Sequence, residues 1–135
     1  MYPSEKIFIV MFLASLKKMG VSKIPYDNEA FYKGVERMFD YFNKNKEQLG
    51  KYQNEIAMLF LRNSFGGVFS EFKGGMDRQN GDLMSFDNPH YVSAEIELDA
   101  SGADYILKQN SHEMSETVIR GFCTAFCEGA KVVYK

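Results

Sequence analysis

Eight consecutive apolar residues stand near the amino terminus, from Ile7 to Ala14. A membrane-spanning helix needs about 20 such residues, so the run predicts a buried element of a globular fold. Ser4 can cap the free amides at the start of a helix here, and Gly20 can take the left-handed conformation that ends one. Because this helix is apolar on every side, we expect it to lie at the centre of the core. No small-x-small cleavage site follows the run, so we expect no secretory signal.

Further helices are predicted where apolar residues recur every three or four positions. A second helix begins after Asp27 or Asn28, and its inward stripe consists of Phe31, Val35, Met38 and Phe42. A third helix carries on one face Tyr52, Ile56, Leu59 and Phe60. A short fourth helix holds Phe69 and Phe72, and two more begin near Asp99 and Asn110.

Two strands are predicted in the second half of the chain. Leu83 to Phe86 is interpreted as one strand and Asp87 to His90 as a turn, because proline fixes φ and Asp or Asn side chains bond their own backbone. From Tyr91 to Leu98 polar and apolar residues alternate. This pattern is typical of a strand with one face exposed to solvent. The expected fold class is α+β and mainly helical, a single domain with about five or six helices and one antiparallel β-hairpin, at residues 83–98, packed on the helices. We expect the hairpin to lie on the last helix, against Val118, Phe122 and Phe126.

Charge is divided unevenly along the chain, whose net charge is −2. Residues 1–51 hold nine Lys or Arg and six Asp or Glu, whereas residues 52–135 hold seven Lys or Arg and twelve Asp or Glu. Between Asn80 and Leu107 there is no Lys or Arg but there are six acids: Asp82, Asp87, Glu95, Glu97, Asp99 and Asp104. This acidic run departs from the mixed charges of an ordinary surface. The overall balance argues against nucleic-acid binding through bulk charge.

Two cysteines, Cys123 and Cys127, stand four residues apart in a predicted helix. Helical geometry does not readily supply a disulfide between them, and reduced thiols are typical of the cytosol, so we expect a cytoplasmic protein. A structural zinc site normally has two local pairs of ligands, and the second pair is missing here. We therefore expect core packing for both thiols, with no metal and no cofactor.

The acidic run, together with the missing catalytic motifs, favours a non-catalytic protein-interaction module. We expect a small inhibitor or regulator that docks through the acidic hairpin surface onto another protein with a basic surface, because charge complementarity steers association and selects partners. The expected partner-binding residues are Asp82, Asp87, Tyr91, Glu95, Glu97 and Asp99. The plainer interpretation is that these acids discourage edge-to-edge pairing of the hairpin. We expect no membrane association, and homo-oligomerisation stays open.

Two other functions are left open. Three helices followed by a hairpin are compatible with a winged helix-turn-helix protein that binds DNA. Its third helix and flanks would supply Lys51, Asn54, Arg62 and Asn63. An acidic wing would repel the DNA phosphates, which argues against this alternative. A small enzyme with a site centred on Cys123 is the second alternative, since a cysteine and a histidine can meet in space without a local motif.

Overall fold

The structure, a computed structural model, describes residues 3–63, 67–78, 84–86, 95–98 and 102–134, with the backbone alone at 62–63, 67–68, 84–86 and 95–98. The α-helices are α1 (Pro3–Lys18), α2 (Glu29–Asn45), α3 (Gln53–Ala57), α4 (Ser70–Asp77), α5 (Ala103–Asn110) and α6 (Glu116–Ala130). Two 3₁₀ segments flank α3, at Lys46–Tyr52 and Met58–Phe60. The strands are β1 (Lys23–Pro25), β2 (Arg62–Asn63), β3 (Gly67–Val68), β4 (Met84–Phe86) and β5 (Glu95–Leu98). The predicted mainly helical fold is confirmed.

Helix α1 lies in the middle of the core, as its apolar run predicts. Phe8 and Phe12 are both fully buried. The ring of Phe8 meets Phe122 of α6 edge-on at 4.9 Å between centroids, and the ring of Phe12 meets Phe126 edge-on at 5.5 Å. Gly20 follows the helix with φ at 99°, a left-handed conformation that glycine adopts without steric cost.

Phe60, at the end of the second 3₁₀ segment, is the hub of the aromatic core. Its ring lies between 5.6 and 6.5 Å, centroid to centroid, from the rings of Phe8, Phe39, Phe42, Phe69, Phe72 and Phe122. Edge-on and stacked pairs of this kind contribute roughly 0.5–1.5 kcal/mol each beyond the apolar area they bury. Phenylalanine rings thus make up much of the described core of a sequence that has no tryptophan.

The stripe on α6 that was expected to receive the hairpin is filled by rings from two helices. Phe122 packs against Phe8 of α1 and, at 4.8 Å, against Tyr41 of α2. Phe126 packs against Phe31 of α2 at 6.0 Å between centroids. The packing of the strand side chains lies outside the described residues. Helix α6 is thus a partner of α1 and α2, which its apolar stripe alone did not reveal.

The predicted third helix is not one continuous α-helix. A 3₁₀ segment comes first, and Gly50 within it has φ at 57°, so the chain kinks there. Only five residues, Gln53–Ala57, are α-helical before the second 3₁₀ segment, and Leu61 is extended with ψ at 136°. A side-chain stripe at helical spacing does not distinguish these tighter turns from an α-helix, because 3.0 and 3.6 residues per turn place nearly the same residues inward over so short a stretch.

A three-stranded sheet has the order β1–β5–β4, and both pairs are antiparallel. The sequence predicted a single two-stranded unit, so the prediction is wrong in the number of strands. The sequence does not predict β1, because its three residues are too few to show alternation. Pro25 suits an edge strand, since its missing N–H costs no ladder bond on the open side. Residues 87–94, which would connect the predicted hairpin, lie outside the described residues, so its turn stays a prediction. A second small sheet joins β2 to β3.

Candidate functional site

The predicted partner-binding residues fall into two groups. Glu95 and Glu97 stand at the first and third positions of β5, the middle strand of the sheet. The other predicted site residues lie outside the described part of the chain: Asp82, Asp87, Tyr91 and Asp99. The structure therefore brings two of the six residues to one strand, and the rest remain predictions.

Strand register places Glu95 and Glu97 on the outer face of the sheet. Ile24 of β1 is the partner of Ile96, and its side chain is fully buried. Residues directly opposite in an antiparallel pair share a face, and successive residues alternate between faces. By this alternation Ile96 has a register position on the same face as Ile24, and Glu95 and Glu97 have register positions on the other face, with Lys23, which is exposed.

Lysines from the first half of the chain approach the acidic run at two points. Lys23 is the register partner of Glu97. Lys18, at the end of α1, lies with Nζ 3.6 Å from the Asp104 carboxylate and 3.0 Å from that of Glu116. One lysine of the first half thus forms an ion pair with an acid of the run, Asp104. Linear sequence does not show it, because the lysines reach the acids only through the long-range pairing of β1 with β5 and the packing of α1.

A polar clasp of Tyr26, Lys73 and Asp77 joins the end of β1 to α4. The Tyr26 hydroxyl donates to the Asp77 carboxylate and to the Lys73 carbonyl oxygen, the latter at 3.2 Å. The Lys73 ammonium lies 2.9 Å from Asp77 Oδ2 and 5.7 Å from the centre of the Tyr26 ring. Burial, followed by the hydrogen bond to Asp77, raises the pKa of Tyr26 well above its usual range. The phenol thus stays protonated and acts as a structural donor beside the sheet.

The turn between β1 and α2 is fixed by side-chain hydrogen bonds. Asn28 is the N-cap of α2, and its side-chain oxygen accepts from the Phe31 amide at 3.0 Å. This confirms one of the two predicted capping residues. Asp27 has φ at 51°, in the left-handed region, and accepts from the Tyr32 hydroxyl at 2.7 Å. The clasp and this turn together hold β1 where it can pair with β5. Sequence analysis missed the clasp and the hydrogen bond between Tyr32 and Asp27, since their members have no local motif.

The two thiols belong to the core, as predicted. Cys123 is fully buried and its Sγ lies 3.4 Å from the Phe12 carbonyl oxygen, to which it donates. Burial raises the pKa of Cys123 well above its usual range and that of Cys127 to about 11. A catalytic cysteine needs a reachable thiolate, so this environment gives no support to an enzyme centred on Cys123. Within the described ranges, no group of three or more His, Cys, Asp or Glu side chains could hold a metal ion.

The four residues expected to contact DNA do not share a helix. Lys51 is in a 3₁₀ segment with its ammonium 5.1 Å from the centre of the Tyr52 ring, and Asn54 is on α3. Arg62 and Asn63 form β2. At about 1.5 Å per residue, α3 is roughly 8 Å long, which is short for a helix that must reach along a major groove. The short α3 thus gives no support to DNA binding through this helix, and the alternative stays a prediction.

Two open surface cavities occur in the described part of the structure. One, of about 410 Å³, lies between the start of α2 and the end of α6. The other, of about 540 Å³, lies between Lys17 and Lys18 of α1 and the first turn of α5, next to Tyr105.

Among the described helices, none combines the length and apolarity that crossing a bilayer requires. No protein-family model, no curated protein and no solved structure matches the chain.

Proposed function

We propose that this chain is a non-catalytic interaction protein, an inhibitor or regulator, that docks the acidic face of its sheet onto a basic surface of another protein. The acidic face is defined as the side of β5 that carries Glu95 and Glu97. The observation that supports the proposal is the strand register. Glu95 and Glu97 flank Ile96, the register partner of the buried Ile24, on the middle strand of the sheet.

Electrostatics supports a basic partner. Glu95 is the register partner of Pro25, which carries no charge, so within the described sheet it has no cation directly opposite. Complementary charges raise association rates and exclude partners of like charge. Residues 52–135, which include β5, carry a net negative charge, with seven Lys or Arg and twelve Asp or Glu.

The predicted hairpin would extend the same surface. Its remaining members are Asp82, Asp87, Tyr91 and Asp99. We propose that these residues form the edge of the contact, with Tyr91 as the aromatic anchor. Aromatic residues are enriched among the side chains that dominate binding energy at protein interfaces, whereas exposed rim charges contribute mainly to specificity.

The test is affinity capture of partner proteins from the native host with the wild-type chain and with the double variant E95K/E97K. We expect the wild type to retain a basic partner that the double variant loses, because both reversed charges would repel it. The captured proteins are identified by mass spectrometry. Circular dichroism checks that the variant is folded.

The matched control reverses two exposed acids far from the sheet. Glu47 lies in the first 3₁₀ segment and Glu128 on α6, and both are exposed. The variant E47K/E128K changes the net charge by the same amount as E95K/E97K. We expect it to capture the partner normally. Equal capture by all three proteins, or equal loss in both variants, would refute a local acidic docking face.

A further inference from the structure

We draw no further inference here: the strongest candidate, the open cavity of about 540 Å³ between Lys17 and Lys18 of α1 and the first turn of α5, rests on two surface lysines and the start of a short helix, and nothing in the described structure shows which ligand or partner would occupy it.

Discussion

At the residue scale, the two thiols of α6 show how burial keeps a side chain protonated. Cys123 donates to a backbone carbonyl of α1, and Cys127 lies four residues further along the same buried side. Sequence analysis assigned both to the core because cysteine behaves there as a small apolar residue. It could not assign the hydrogen bond to Phe12, since that contact depends on how α1 and α6 cross.

The raised thiol pKa values predict a loss of stability in alkaline solution. Below the usual thiol pKa of about 8.5 both the folded and the unfolded chain are protonated, so the free energy of unfolding is unaffected. Above it the unfolded chain releases these protons first, and the free energy of unfolding falls until the folded thiol also ionises, at about pH 11 for Cys127. Urea unfolding near pH 8 and near pH 10 should show a smaller fall in the variant C127A than in the wild type. An equal fall would contradict the assignment of a protonated, buried thiol.

At the element scale, α2 and α6 are held together by close backbone approach. A Cβ at Gly129 of α6 would meet the carbonyl oxygen of Lys33 and would lie 2.9 Å from the Cα of Gly34, both backbone atoms of α2. A Cβ at Gly34 would lie 2.6 Å from Phe126 Cδ2. Periodicity predicted both helices and their inward stripes. It did not predict their contact, because a glycine inside a helix gives no signal of which backbone approaches it.

This crossing predicts opposite effects for two glycine-to-alanine changes. G129A should lower the free energy of unfolding by about 1–3 kcal/mol, because two helix backbones would have to move apart. G74A in α4 should raise it by about 0.5–1 kcal/mol, since the alanine methyl group would have no neighbour within 4 Å and alanine favours the helix. Urea denaturation measures both. Stabilisation by G129A would contradict the close packing of α2 on α6.

At the scale of the whole molecule, the sequence predicts the elements better than their assembly. The helix α2 and the buried α1 were predicted correctly, and so was the inward stripe of α6. The start of α6 was predicted wrongly, since this helix begins at Glu116 and Asn110 ends α5. The third helix failed because its residues divide between a five-residue α-helix and a 3₁₀ segment, which apolar spacing does not distinguish from one continuous α-helix. Strand β1 was missed because a three-residue edge strand is defined by its partner and not by its own pattern.

For the candidate site too, the sequence predicts the local strand pattern but not the long-range pairing. The alternation from Tyr91 to Leu98 indicated which side of β5 faces the core, and the burial of Ile24, partner of Ile96, agrees with it. The charge of that surface could not be read from the acidic run alone. Lys23 stands far away in the sequence, and only the β1–β5 register brings it opposite Glu97.

The backbone register makes Lys23 the partner of Glu97 across β1 and β5, and a double-mutant cycle tests this pairing directly. The proteins are the wild type, K23E, E97K and K23E/E97K, and the quantity measured is the free energy of unfolding in urea at low salt. Each single reversal places like charges opposite each other, whereas the double variant restores an attractive pair. We expect a coupling free energy of about 0.5–1 kcal/mol that favours the double variant. Strictly additive effects of the two reversals would show that β1 and β5 do not bring these residues together.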